Sequence, residues 1–155
     1  LVAKKLSGFD VNILAYDPFC RSTDVKLVDL ETLMSESDFI TVHARLTPEN
    51  EHMLNAQMLE RMKPTAYLIN TSRSGLIDEA ALCNVLREHR IAGAFLDVFD
   101  HEPPQADDPL LALDNVTLTP HMAGGSKDAF YNTPKLLANA MIDALEGRPT
   151  RFLIS

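Results

Sequence analysis

Short apolar segments alternate with helical patterns along this chain, and that alternation constrains the fold more than any other feature. The apolar segments, which predict buried strands, span residues 11–16, 39–42, 66–69, 94–98 and 116–119. The helical patterns span residues 29–35, 55–62, 78–89 and 126–145, and Asp78 and Ser126 suit N-caps. Because a crossover helix returns the chain in the same direction, we predict a parallel sheet with helices on both faces, a doubly wound α/β fold.

Length and charge exclude several classes of protein. A chain of 155 residues is long enough for one domain with a core and too short for two ordinary domains. The formal net charge of -8 and the scattered Lys and Arg residues argue against a nucleic-acid partner. No apolar run reaches the roughly 20 residues that cross a bilayer, so we predict a cytoplasmic protein without a membrane partner. Cys20 and Cys83 lack the spacing of a zinc site, so no metal is expected.

The N-terminal segment indicates a nucleotide. Residues 1–6 predict the end of a helix, with Gly8 as its left-handed stop, and the strand 11–16 then runs into Asp17. In dinucleotide-binding folds an acidic residue at this place accepts hydrogen bonds from ribose hydroxyls, about 20 residues after a G-x-G-x-x-G turn. Asp17 is therefore a candidate ribose ligand, and a simple turn residue is the alternative. The glycines form no such turn, so we expect the first strand and the phosphate loop to lie outside this sequence.

Three polar residues follow three of the predicted strands. Arg73 comes after the strand 66–69, and a guanidinium can hold a carboxylate with two parallel hydrogen bonds. Glu102 and His121 come after the next two strands. A carboxylate that bonds one imidazole nitrogen orients the ring, and the other nitrogen can then exchange a proton with a substrate. The alternatives are a solvated arginine, a loop acid and a structural histidine.

The segments 70–78 (NTSRSGLID), 96–103 (LDVFDHEP) and 118–121 (LTPH) resemble the D-isomer-specific 2-hydroxyacid dehydrogenase family, which includes phosphoglycerate, glycerate, formate and D-lactate dehydrogenases. The resemblance covers nearly the whole chain. It implies a Rossmann-like NAD-binding domain in an NAD-dependent oxidoreductase that interconverts a D-2-hydroxy acid and its 2-keto acid. It also implies that Arg73 binds the substrate, that His121 donates and accepts the proton, and that Glu102 tunes His121.

The same resemblance implies a set of cofactor contacts. Asp17 would bind the ribose and Asp97 the nicotinamide carboxamide. The remaining contacts implied around the cofactor are Ala44, Thr71, Ser72, Arg73, His121 and Gly124. An acidic Asp17 would repel the 2′-phosphate of NADP, so we favour NAD. Arg45 stands where relatives commonly have proline, so the loop beside the adenosine is expected to differ.

The resemblance also sets expectations for the whole protein. The family places a substrate domain N-terminal to this region, so we interpret residues 1–155 as a partial NAD-binding domain, inactive by itself. Without its first strand, the 3-2-1-4-5-6 sheet would have two unpaired inner edges and fold poorly alone. Family members usually form homodimers through this domain. A non-catalytic NAD-sensing or corepressor module and a structural dimerisation fragment remain alternatives, and the identity of the hydroxy acid, phosphorylated or not, stays open.

Overall fold

The computed structural model describes residues 1–21 and 23–149. Its helices are α1 (Val2–Leu6), α2 (Leu30–Glu36), α3 (Ala56–Leu59), α4 (Glu79–Arg87) and α5 (Lys127–Leu145). Its strands are β1 (Leu14–Ala15), β2 (Lys26–Leu27), β3 (Phe39–Val42), β4 (Tyr67–Asn70), β5 (Gly93–Leu96) and β6 (Val116–Leu118). Short 3₁₀ helices span Ser7–Phe9, Ser74–Leu76 and Pro109–Ala112. The predicted alternation of strand and helix is confirmed.

All described strands pair in parallel, as predicted. They form a four-stranded sheet in the order β3-β4-β5-β6 and a separate two-stranded sheet of β1 and β2. Among the described residues β1 and β3 do not pair with each other. In the 3-2-1-4-5-6 order of a Rossmann-like sheet, one more strand lies between these two positions.

One face of the four-stranded sheet carries the core. Alternate side chains of the strands, such as Ile40, Leu68 and Leu96, are buried against α2, α3 and α4. Helix α4 contributes one apolar stripe to this cluster, which consists of Ala81, Leu82, Cys83, Val85 and Leu86. The alternate side chains of the strands and the apolar side of α4 therefore pack together in a single core.

The opposite face of the sheet carries exposed aromatic side chains in the part of the chain that the structure describes. Phe39 is 68% exposed and Phe95 is 44% exposed, and both flank the half-buried Tyr67. The ring of Phe39 stacks on Tyr67 at 5.7 Å between centroids, and Phe95 lies 5.9 Å from Tyr67. An apolar strand in the sequence predicts that its side chains favour burial, but it does not show which other residues pack against them.

One local prediction is wrong, and one strand was missed. The left-handed residue after α1 is Asp10, with φ of 55°, whereas Gly8 lies inside a 3₁₀ turn. An aspartate tolerates this conformation because its short side chain bonds locally. Strand β2 was not predicted, since Lys26 and Leu27 are both exposed and carry no alternating pattern.

The chain divides into two compact units, Leu1–Pro120 and His121–Ser155. The second unit contains α5, whose N-cap Ser126 accepts a hydrogen bond from the backbone N–H of Ala129 at 3.0 Å. Helix α5 has no buried residue, although Phe130, Leu137 and other apolar side chains line it. No helix within residues 1–21 and 23–149 is both long enough and apolar enough to cross a membrane.

Candidate functional site

The loops that follow β3, β4, β5 and β6 are tied together by hydrogen bonds at one edge of the sheet. The hydroxyl of Ser72 donates to the carbonyl of Ala44 at 2.6 Å, which joins the first two loops. The N–H of Asp97 donates to the carbonyl of Asn70 at 2.9 Å. The hydroxyl of Thr119 donates to the carboxylate of Asp97 at 2.5 Å. Because parallel strands all end at this edge, it is where a ligand of such a sheet binds.

The loop that carries Arg73 is shaped by a buried amide. Asn70 is 1% exposed, and its side-chain N–H₂ donates to the carbonyl of Arg73 at 2.9 Å. Its side-chain oxygen accepts from the N–H of Ser72 at 3.0 Å. The guanidinium of Arg73 is exposed and donates to the carbonyl of Ser72 at 2.7 Å. The backbone under Arg73 is therefore fixed, while its charged end faces solvent.

The loop after β5 holds two carboxylates in different environments. Asp97 is 2% exposed, directly after the last residue of β5. Glu102 is exposed, and one of its carboxylate oxygens accepts from the N–H of Phe99 at 3.1 Å. This bond closes a tight turn, so the position of the Glu102 carboxylate is tied to the backbone that leaves the strand.

Asp17 lies two residues beyond β1, at the end of the two-stranded sheet. One oxygen of its exposed carboxylate accepts from the N–H groups of Phe19 at 2.9 Å and Cys20 at 3.1 Å. Because two backbone donors already orient the carboxylate, its second oxygen can accept hydrogen bonds from vicinal hydroxyls without a change of side-chain rotamer. The geometry suits the predicted ribose ligand.

His121 and Gly124 belong to the second compact unit, His121–Ser155. His121 is exposed and has a φ of 49°, a left-handed conformation that it shares with Asp10, His52 and His89. A groove of about 550 Å³ runs along the start of α5, and Gly124 lies in its lining. The meeting of His121 with Arg73 and Glu102 therefore stays a prediction.

The remaining predicted residues lie in the same loops. Thr71 is exposed beside Ser72, and Ala44 contributes its carbonyl oxygen. The exposed Arg45 sits in a loop that Asn50 closes by donating to the Arg45 carbonyl at 2.8 Å. Asn70 and Thr119 were not predicted as site residues. A polar residue at the last position of an apolar strand was the available signal for Asn70.

Comparison with known proteins gives a match for most of the chain. The model of the D-isomer specific 2-hydroxyacid dehydrogenase NAD binding domain matches residues 1–123. A D-3-phosphoglycerate dehydrogenase from Archaeoglobus fulgidus is 40% identical over 159 residues, which cover 99% of this chain and 30% of the relative.

Solved structures agree with the sequence match. An acyclic imino acid reductase in complex with NADPH and D-Arg has a TM-score of 0.91 at 34% identity, over 99% of this chain and 49% of that chain. A D-lactate dehydrogenase from Lactobacillus jensenii, solved with NAD+, has a TM-score of 0.89 at 31% identity, over 99% of this chain and 51% of that chain. The chain thus spans about half or less of the length of these relatives.

Proposed function

This chain belongs to the D-isomer specific 2-hydroxyacid dehydrogenase family, as its NAD-binding domain, and on that premise we propose that the protein containing it interconverts a D-2-hydroxy acid and its 2-keto acid with NAD. The observation that carries the proposal is the hydrogen-bonded edge that unites the loops of Ala44, Ser72, Asp97 and Thr119. The Arg73 and Glu102 loops extend from that edge. An anion-binding group and a carboxylate are thereby held on one rigid support.

The proposed cofactor contacts come from Asp17 after β1 and from the loops at the edge of the four-stranded sheet. The oriented carboxylate of Asp17 accepts bonds from the adenosine ribose, and its charge repels a 2′-phosphate, so NAD is preferred over NADP. The buried carboxylate of Asp97 receives the nicotinamide carboxamide N–H₂. The other proposed contacts to the cofactor are Ala44, Thr71, Ser72, Arg73, His121 and Gly124.

Arg73 binds the substrate in this proposal. Its guanidinium keeps its charge at any working pH and offers paired N–H donors to the planar carboxylate of a 2-keto acid. The bond that it makes to the Ser72 carbonyl, at 2.7 Å, uses one of its five donors. The Arg73 backbone carbonyl, bound by Asn70, fixes where the side chain begins.

His121 exchanges the proton and Glu102 orients it. In the reductive direction the protonated imidazole of His121 gives a proton to the keto oxygen, and in the oxidative direction the neutral ring takes it back. The Glu102 carboxylate stabilises the protonated ring and fixes its orientation. The cofactor, when bound, supplies the hydride that adds to the keto carbon.

The proposal extends to the whole protein. A substrate domain from a segment outside this sequence closes over the strand ends, and two copies associate through the nucleotide domain. The second compact unit supports association, because α5 exposes apolar side chains such as Phe130 and Leu137. The substrate is a small 2-hydroxy or 2-keto acid.

An imino acid is a second candidate substrate. The likeness to the acyclic imino acid reductase favours it, and a C=N bond accepts hydride and proton as a C=O bond does. That reductase was solved with NADPH, whereas the negative charge of Asp17 in this chain would repel the 2′-phosphate of NADPH. Imino acids with NADPH should therefore be tested as substrates together with the 2-keto acids.

NADH oxidation by the complete protein tests the proposal. We expect the 340 nm absorbance of NADH to fall with glyoxylate, hydroxypyruvate or pyruvate, and the product from a prochiral substrate to be the D-isomer. Oxidation that requires an imino acid and NADPH would favour the second candidate. NADH binding without turnover on any of these substrates would instead indicate an NAD-sensing module.

A further inference from the structure

Glu79 joins the two loops that hold the proposed catalytic residues. It is the first residue of α4, at the end of the loop that begins after β4 and carries Arg73. Its carboxylate oxygen Oε2 accepts from the backbone N–H of Asp100 at 3.1 Å. Asp100 lies in the loop that carries Glu102. One side chain therefore spans from the Arg73 loop to the Glu102 loop, 21 residues further along the chain.

Two further features define the place of Glu79. Asp78 caps α4 by accepting from the N–H of Ala81 at 3.0 Å, so the backbone of Glu79 is fixed. The side chain lines a gap of about 10 Å³ with Asn70 and Val98, which lie at the starts of the two loops. That gap is at the lower limit for one water molecule. A shortened side chain at position 79 would leave the Asp100 N–H to bulk solvent.

We propose that Glu79 is a positioning residue that holds the Glu102 loop in register with the Arg73 loop. The inference rests on the proposed function. The turn from Phe99 to Glu102 is closed by the bond between the Phe99 N–H and the Glu102 carboxylate, at 3.1 Å. Glu79 accepts from the N–H of Asp100, one of the two residues between them. Loss of that bond lets the turn move and carries the Glu102 carboxylate with it.

The acceptor oxygen of Glu79, more than its charge, is what the geometry uses. The pKa of the Glu79 carboxyl is raised, mainly because the group is partly buried. The nearby carboxylates of Asp100 and Asp108 also raise it, whereas the hydrogen bond from the Asp100 N–H and the nearby His101 lower it. The surroundings thus disfavour the charge, while the Asp100 N–H needs only an oxygen lone pair. Glutamine supplies that lone pair at the same distance from the backbone.

Three variants of the complete enzyme distinguish the effect of the hydrogen-bond acceptor and side-chain length at position 79 from the effect of the charge. Glu79→Gln keeps the acceptor and loses the charge, and we expect kinetics within about twofold of the wild type. Glu79→Asp keeps the charge but is one methylene shorter, and Glu79→Ala has no acceptor. We expect kcat for keto-acid reduction to fall about tenfold in both, since a displacement of 1 Å at a catalytic group costs up to 10²-fold.

The pH profile gives a readout that a merely structural role would not move. Reduction needs protonated His121, and Glu102 stabilises that form. In Glu79→Ala and Glu79→Asp the alkaline limb of the kcat profile should therefore move to lower pH by about one unit, while the KM for NADH stays the same. Glu31→Ala is the matched control. It removes an acidic residue from the first turn of α2, where Glu31 pairs with Arg61 at 2.9 Å.

Hydrogen exchange at the Asp100 N–H distinguishes failure of this inference from failure of the proposed function. Exchange should be slow in wild type and Glu79→Gln and fast in Glu79→Ala and Glu79→Asp. Equal exchange in all four proteins would overturn the inference. So would unchanged kinetics in Glu79→Ala, or an equal loss in Glu79→Gln. If no keto acid is turned over by the wild type, the proposed function fails, and the exchange rates alone decide whether Glu79 holds the loop.

Discussion

At the scale of single residues, the buried Asn70 holds the loop that carries Arg73. The oxygen and the N–H₂ of its side-chain amide both hydrogen-bond to the Arg73 loop, and the residue is only 1% exposed. A buried amide of this kind leaves no alternative partner in water when one of its bonds is lost. The arginine loop therefore depends on a residue that touches no ligand in the proposed mechanism.

Asn70→Asp should weaken substrate binding. The carboxylate lacks the N–H₂ that donates to the Arg73 carbonyl, so two acceptors would face each other, at a cost of about 1–3 kcal/mol. We expect the KM for the 2-keto acid to rise about tenfold, with the Kd for NADH changed less. Asn84→Asp is the control, since Asn84 is exposed on α4 and bonds Arg87 at 3.0 Å. Equal KM values in both variants would contradict this account of the loop.

Asp17→Ser should change the cofactor preference. The substitution removes the negative charge that opposes a 2′-phosphate and the carboxylate that accepts from the ribose. We expect kcat/KM with NADH to fall about tenfold and kcat/KM with NADPH to rise, measured on the complete enzyme. Asp24→Ser makes the same change of charge at an exposed position in the β1–β2 connection. A preference for NADH that survives Asp17→Ser would remove Asp17 from the cofactor site.

The sequence indicated candidate ligand-binding residues and missed Asn70 and Glu79, which hydrogen-bond to the loops that carry them. Arg73 and Glu102 were candidates because they lie in the loops that follow two apolar strands, and Asp97 was a candidate only through the family resemblance. Asn70 and Glu79 act through burial and through contacts with distant loops. Neither property is visible along a single chain, because it depends on which loops the sheet brings together.

At the scale of elements, strands and helices were predictable where one face is buried. The N-termini of α4 and α5 were placed correctly through the predicted caps Asp78 and Ser126, whose side chains accept bonds from the first turn. Strand β2 was missed because both of its residues are exposed. The exposed face with Phe39 and Phe95 was missed because a sequence reveals apolar side chains but not their cover.

Asp78→Ala should loosen the start of α4 and, with it, the position of Glu79. The Asp78 carboxylate accepts from the Ala81 N–H at 3.0 Å, and loss of an N-cap costs about 1 kcal/mol. We expect native-state hydrogen exchange in the first turn of α4 to become about fivefold faster. Asparagine is an equally good N-cap, so Asp78→Asn should exchange at the wild-type rate. Equal protection in the alanine variant would show that packing of Leu82 and Leu86 alone holds this turn.

At the scale of the whole molecule, the parallel fold followed from the alternation of strands and helices, and the family followed from three short motifs in the right order. The strand order β3-β4-β5-β6 brings the loops of Arg73 and Glu102 to one edge, as the parallel-sheet prediction required. His121 begins the second compact unit. That His121 acts beside Glu102 therefore stays a prediction.

Turnover by His121→Ala in the complete protein tests the central claim most directly. The account predicts that the wild type reduces a 2-keto acid with NADH. It also predicts that kcat in the variant falls by at least the roughly hundredfold typical of a lost general acid, while the Kd for NADH, measured by its fluorescence or by calorimetry, is unchanged. Equal turnover in the two proteins would contradict the account.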